Sequence, residues 1–539
     1  MGSSPSCSTC SQDTSQAAAE VVQASKQTLP EASEVFGPVT SFQSSVEKDS
    51  PTLSRLDKFS RLESLAHLEV DEEVLRGIPL HHTLQVGLGQ WSSPKEMSQR
   101  KQEALYEKSS PTLHFDIFFS HTWLTTGNRK YVALLFHNGW PVMVTSWILA
   151  TTVLSILCLT DALPMPFSYQ ASVLDYRQTC PLGCWVIALT LPVACAALVL
   201  SPYCPNKLGK HSICFVDMFS IHQTDSMLRE RGIYGIGGCL QRSKELRVLW
   251  SPPYFSRLWC IFELAAYRFA NPQGKITMAP LFVESVVLTL LVGILAVSAG
   301  VWVGAALRSM EEYTVLHILL TSIFSSVPLL GIIHVLRKET RAKRQLLLDL
   351  ESFSLDRAEC LSDFDREFIH SAIDKWYGSA EAFAKYVRGP LRAELLQSNA
   401  ATVPSAYLMT CVISIESIQV ELFLALVKGG APLKCILAVL VGLMIGPVFY
   451  QLSCFKLMLK LAEKFAEPCN AILDLLQTFL IWLTTWFLLV ICGSATVTLL
   501  SRPNVLPLLL LVLFECLVFL AAFGHLPLRR VCLRSSDRA

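Results

Sequence analysis

The chain has 539 residues, 52% of them hydrophobic and only 17% charged, with a mean hydropathy of +0.42. Soluble domains carry about 25% charged residues, so this composition is shifted towards a membrane protein. A formal net charge of +1 gives no basis for nucleic-acid binding, and the eighteen cysteines are scattered, many in apolar runs where Cys is a small buried hydrophobe rather than half of a disulfide framework.

The first 110 residues hold no apolar stretch of the signal-peptide kind. Met1–Gly2–Ser3–Ser4–Pro5–Ser6 fits the N-myristoylation pattern, with Gly2 as acceptor, and Cys7 and Cys10 beside it are candidates for palmitoylation. Two acyl chains hold a tail to a bilayer where one barely does. The alternative is a chance match in a Ser-rich tail. Residues 1–52 are rich in Ser, Gln and Thr and read as a disordered tail. Residues 53–110 form a helical and polar N-terminal region: Leu56, Phe59, Leu62 and Leu65 fall at helical spacing, and Gly and Pro interrupt the stretch after residue 76.

A hydrocarbon core about 30 Å thick needs roughly 20 apolar residues in a helix. Eight segments meet that measure: 140–160, 183–203, 282–307, 314–336, 405–427, 433–455, 475–499 and 505–528. Short connections predict hairpins, namely 140–203, 282–336 and, within the four-helix region 405–528, the turn Lys428–Gly429–Gly430–Ala431–Pro432. Basic residues gather on one side: Arg337, Lys338, Arg341, Lys343 and Arg344, then Lys456, Lys460 and Lys464, then Arg529, Arg530 and Arg534 in the basic tail 529–539. The positive-inside rule puts both termini and the polar segments in the cytosol.

The polar segments alternate strand and helix. Phe115–Ser120, Cys214–Phe219, Leu246–Trp250 and Ile276–Val283 read as strands. Asn128–His137, Ile236–Ser243 and Phe255–Phe269 read as helices, and segment 337–403 as further cytosolic helices. Alternating elements imply a parallel sheet, in which ligands bind at the carboxyl ends of the strands. The residues just past those ends are Ser120–His121–Thr122–Trp123, His222–Gln223–Thr224–Asp225 and Ser251–Pro252–Pro253–Tyr254. The first membrane hairpin is inserted inside this α/β module. An insertion whose ends return close together leaves a domain intact.

Phe115–Asp116–Ile117–Phe118–Phe119–Ser120–His121 resembles the first box of Toll/interleukin-receptor (TIR) domains. Ser251–Pro252–Pro253–Tyr254 followed by Trp259–Cys260–Ile261–Phe262–Glu263–Leu264 resembles the TIR segment Ser-Pro-x-Tyr…Trp-Cys-x-x-Glu-Leu, and Val216–Asp217–Met218 stands weakly where the second box belongs. The resemblance covers residues 113–138 and 212–284 and implies a flavodoxin-like α/β module, split by a transmembrane hairpin, within a mixed fold whose remainder is a polytopic helical membrane protein. It implies a signalling role through assembly with other TIR-like domains or with itself. In enzymatic TIR domains the Glu of this motif cleaves NAD⁺, and by position that residue is Glu263. Phe119, Ser120, His121, Trp123 and Trp259 are then candidates to line the NAD⁺ cleft. Cleavage of the ribosyl–nicotinamide bond passes through an oxocarbenium-like state that a carboxylate stabilises. The alternative for Glu263 is a structural role, capping a loop or pairing with Arg257 or Arg268.

Other signals are weaker. Gly232–Ile233–Tyr234–Gly235–Ile236–Gly237–Gly238 lacks P-loop spacing and reads as a flexible turn. His211, Cys214, His222 and Cys239 form no metal-ligand pair, so no metal is expected. Glu416, Gln419, Glu421 and Glu515 fall within candidate spans. Carboxylates there are costly and mark pores, partners or proton paths, which keeps a transporter or channel as a rival to the signalling module.

Overall fold

The computed structural model describes residues 68, 70–85, 87, 91, 93, 96–204, 212–291, 293, 315–360, 362–397, 405–467 and 470–523. The lipidation candidates Gly2, Cys7 and Cys10, the expected tail 1–52 and the basic tail 529–539 lie outside the described residues. The chain forms two compact units. One comprises Met1–Asn128, Asn206–Pro280 and Leu346–Ala401, and the other Arg129–Pro205, Leu281–Gln345 and Thr402–Ala539.

The first unit is built on a six-stranded mixed sheet. Its strands are β1 (Arg76–Pro79), β2 (Ser110–Pro111), β3 (Phe115–His121), β6 (Ile213–Phe215), β7 (Ser243–Trp250) and β8 (Lys275–Pro280); β4 and β5 belong to the other unit. The spatial order is β2-β1-β6-β3-β7-β8. Strand β3 pairs in parallel with β6 (Ile117 opposite Cys214) and with β7 (Phe118 opposite Leu246), and β7 pairs in parallel with β8. Thus strands from either side of the inserted apolar hairpin lie side by side. A central parallel strand is covered on both faces, which is why β3 reads as an almost unbroken apolar run. Only Asp116 is half-buried in it, and its carboxylate accepts from Ile213 N at 2.9 Å and from Lys244 Nζ at 2.8 Å.

Three boundaries differ from expectation. The run expected as a strand through Phe219 leaves the sheet at Phe215, and Asp217–Ser220 is one helical turn with Met218 and Phe219 buried. A short apolar run does not by itself separate a strand from a buried helical turn. The polar stretch 77–110 contributes β1 and β2, antiparallel additions at the β6 side. The Gly-rich segment is helical, in Ser226–Tyr234 and Ile236–Gln241, and its glycines admit a neighbouring chain: a methyl at Gly238 would stand 2.5 Å from Val70.

The second unit contains five helices long and apolar enough to cross a membrane: Gly127–Leu159, Trp185–Tyr203, Leu433–Lys464, Ala471–Leu500 and Leu506–Phe523. The eight expected spans therefore reduce to five among the described residues. Segment 282–307 is described chiefly as the short apolar helix Phe282–Leu291, 314–336 lies in the longer Val315–Glu351 helix with its charged second half, and 405–427 lies in Ser405–Lys428, which carries Glu416 and Glu421. Gly127–Leu159 fuses the expected helix at 128–137 with the first span. At 1.5 Å per residue its 33 residues reach about 50 Å, beyond the hydrocarbon thickness.

The loop between the first two of these helices is a β-hairpin that the sequence reading did not foresee, β4 (Phe167–Val173) with β5 (Tyr176–Leu182). It is tied to the turn after Ser405–Lys428: Tyr176 OH donates to Gly429 O at 2.6 Å, and Lys428–Asp161 and Lys434–Asp175 pair at 2.6 and 2.7 Å. Gly430 takes φ +71° there, a conformation glycine adopts without a side-chain clash.

Candidate functional site

The carboxyl end of β3 places Ser120 and His121, and the end of β7 leads through Ser251–Pro252–Pro253 into the turn Tyr254–Ser256 and the helix Leu258–Ala270. That helix is buried on two sides. Cys260, Glu263 and Tyr267, at i, i+3 and i+7, face the sheet: Cys260 Sγ reaches His121 O at 3.5 Å, and Tyr267 OH donates to Lys244 O at 2.8 Å. Trp259, Phe262 and Phe269 face the helix Asp363–Tyr377, where Phe262 lies 5.6 Å from Phe368 and Phe269 stacks on Trp376 at 5.3 Å.

Glu263 is the centre of a hydrogen-bonded chain of side chains. Ser120 Oγ donates to Glu263 Oε2 at 2.5 Å, and Ser120 Oγ and Tyr254 OH stand 2.6 Å apart. Tyr254 is fully buried, and its hydroxyl also reaches Cys260 O at 3.3 Å. Burial pushes the Glu263 carboxyl up to about 8; the Ser120 hydroxyl opposes that rise and the charge of Asp217 adds to it. Glu263 nevertheless keeps a partly exposed edge. Near neutral pH the group is chiefly a neutral acid, able to donate a hydrogen bond, and ionises only slightly above.

A strand's pleat sends alternate side chains to opposite faces. Ser120 therefore meets Glu263, while Phe119 and His121 turn to the other face and pack around Trp91, with ring centroids 6.4 and 6.0 Å away. Trp123 lies edge-on to His121 at 4.5 Å. His121 Nε2 is 3.7 Å from Asp217 Oδ1, at the end of β6. Of the five residues proposed to line a nucleotide cleft, Ser120 is the one seen hydrogen-bonded to Glu263. Phe119, His121 and Trp123 form a second cluster across the strand, and Trp259 is directed away, its indole N–H reaching Asp365 Oδ2 at 3.4 Å. Neither Arg257 nor Arg268 pairs with Glu263; Arg268 instead bridges to Glu394 at 2.8 Å.

Sequence reasoning placed Asp217 in the weak second box without giving it a role, and missed Trp91. Asp217 is the first polar residue after β6, a position that parallel sheets commonly use, and this alone could have marked it. Trp91 was a single aromatic in a polar stretch, with no periodicity to reveal its burial. A surface cavity of about 640 Å³ lined by His114, Arg242, Lys244 and Tyr267 opens at the opposite, amino end of β3 and β7. It has no part in the Glu263 cluster.

In the second unit, Glu421 is fully buried and accepts from Cys184 N at 2.6 Å and Val186 N at 2.9 Å. It caps the start of the helix beginning at Trp185, satisfying amides that a helix leaves open. Ser417, one turn earlier, accepts from Trp147 Nε1 at 3.0 Å. No family model, curated protein or solved structure matches the chain.

Proposed function

We propose that this chain is a membrane-anchored signalling protein whose split α/β unit resembles TIR domains and acts as an interaction scaffold, with that unit and both termini in the cytosol. The observation that carries the reading is the pairing of β3 with both β6 and β7. The two peptides that carry the resemblance thereby meet at one sheet end, as a single module requires. Within that module the motif residues are engaged in packing: Tyr254 and Ser120 hold Glu263, and Trp259 and Phe262 are committed to the Asp363–Tyr377 helix. Residues so committed stabilise a recognition surface rather than line an open cleft.

Cleavage of NAD⁺ through Glu263 is a second reading, favoured by one feature. A partly exposed carboxyl, raised to about 8, stands at the carboxyl ends of the strands within the influence of Asp217. Perturbed carboxyls of this kind concentrate at catalytic sites. The leaving nicotinamide is a neutral base, so the chemistry requires Glu263 in its ionised form, which burial makes the minor form near neutral pH, and activity should rise as pH approaches 8.

One experiment separates the two. NAD⁺ is measured in the full chain clustered through an appended dimeriser, and self-association is measured by cross-linking in the full chain without it. A scaffold self-associates with NAD⁺ unchanged, and Glu263→Gln leaves association within twofold. NAD⁺ loss that Glu263→Gln abolishes would establish the enzyme instead. A chain that neither associates nor consumes NAD⁺ would overturn both.

A further inference from the structure

Glu515 lies inside the apolar helix Leu506–Phe523 and is fully buried. Its Oε1 accepts from the Cys492 thiol at 2.9 Å, on the helix Ala471–Leu500. Among the described residues its Oε2 is buried with no hydrogen-bond partner. The residue sits on a ridge, Leu508, Val512 and Glu515 at i, i+4 and i+7, that fills a groove made by Gly442 and Gly446 on the helix Leu433–Lys464. A methyl at Gly442 would stand 2.9 Å from Leu508, and one at Gly446 would collide with Glu515 Oε2. Small residues spaced four apart allow this close approach between membrane helices.

The groove is irregular where the carboxyl meets it. Leu440–Ile445 is a π turn, and Pro447 has no N–H to give the carbonyl one turn before it. π turns inside α-helices are frequent at functional sites. Among the described residues, the other titratable groups around Glu515 are Tyr450 and Cys454 on the same helix as the groove, and Cys492 opposite. Lys456 is committed elsewhere, donating to Ala522 O at 2.6 Å and lying 4.1 Å over the Phe523 ring, about two turns along. None of these neighbours supplies a counter-charge.

We propose that Glu515 is a proton-binding site within the membrane helices, held as the neutral acid with its proton on Oε2, facing the segment where the π turn and Pro447 leave main-chain carbonyls short of donors. The ligand is a proton rather than a metal cation because the Gly446 main chain lies directly against Oε2, and a cation needs several oxygen ligands around it. Loss of the proton puts an unpaired charge into an apolar interior and drives Leu506–Phe523 off the glycine groove. The inference rests on these helices lying in a bilayer and is independent of Glu263.

The test uses the purified full chain in lipid vesicles. The infrared difference between wild type and Glu515→Gln at pH 7 should show one carboxylic-acid C=O band in the wild type, and Gly446→Ala should shift it. A difference spectrum holding only carboxylate bands would overturn the proposal. Should Glu515→Gln fail to fold, the wild type is treated with dicyclohexylcarbodiimide. The acid's proton passes to a carbodiimide nitrogen as the carboxyl oxygen bonds to the central carbon, an addition with no leaving group, and peptide mass spectrometry locates the adduct. Labelling of Glu515 by this apolar reagent and not by a water-soluble carbodiimide supports the site; no adduct at Glu515 overturns it. Membrane association after an alkaline carbonate wash is read in parallel, so release of the wild-type chain marks failure of the membrane reading itself.

Discussion

The α/β unit and the helical unit bury charge-bearing groups by different means. In the α/β unit the buried carboxyl of Glu263 is held by side chains, the hydroxyls of Ser120 and, through it, Tyr254. In the helical unit the main chain does most of this work. Glu421 accepts from amides at a helix start, and Arg337, fully buried, donates to Phe465 O at 2.8 Å and Asp474 O at 2.5 Å as well as to the Thr478 hydroxyl at 2.7 Å. The Asp474 carboxylate, 2.8 Å away, balances its charge and is shared with Arg341 at 2.9 Å. Partners drawn from the main chain persist whatever the neighbouring side chain, whereas a hydroxyl relay can be dismantled one residue at a time. The first arrangement suits a fixed joint and the second a tunable site.

The largest effect should come from the fixed joint. Arg337→Met leaves Asp474 with the more exposed Arg341 and, at 3.9 Å, His334, and strands the Phe465 carbonyl; breaking a buried pair from one side costs about 3–5 kcal/mol. Thermal unfolding in detergent should show it, with Arg341→Met much milder because that side chain is over a third exposed. Equal losses from the two variants would show that the joint is not centred on Arg337.

A smaller effect, with a pH signature, belongs to Glu263. The folded state holds its proton up to about pH 8, while the unfolded chain releases it near the ordinary carboxyl value of 4.5. Between those limits the unfolded state binds fewer protons, so wild-type stability falls as pH rises and levels off above about 8. Glu263→Gln removes that slope. The variant should match wild type near pH 5 and exceed it by roughly 3 kcal/mol at pH 9, part of the full linkage being lost to residual exposure. Chemical denaturation of the full chain at the two pH values checks this, and parallel curves for the two proteins would contradict it.

These positions were legible in the sequence to different degrees. The strand at Phe115–His121 and the helix carrying Trp259 to Leu264 were readable because an unbroken apolar run and a 3.6-residue period are both local signals. The meeting of Ser120 with Glu263 follows from the parallel sheet once β3 and β7 are neighbours. The Trp91 cluster was not readable, since one aromatic in a polar stretch has no period. Nor did hydropathy separate Ser405–Lys428 from the five apolar helices: its carboxylates were visible, but the main-chain amides that hold Glu421 were not. The β4–β5 hairpin was lost between two long apolar runs that dominate any window drawn across it.

The smallest prediction tests whether the relay at Glu263 acts as a unit. Tyr254→Phe removes one neutral hydroxyl contact and should cost about 1 kcal/mol, and Ser120→Ala a similar amount. Ser120→Ala also deletes the one donor to Glu263 among the described residues, so the Glu263 slope should extend to higher pH in that variant, because the Ser120 bond opposes the rise caused by burial. Tyr254→Phe leaves that bond in place and should barely move the slope. If the tyrosine acts through the serine, the double variant costs less than the two single changes together, with a coupling of about 0.5–1 kcal/mol. Additive losses would mean that Tyr254 contributes through its buried ring alone, and the comparison between the units would then rest on Ser120 by itself.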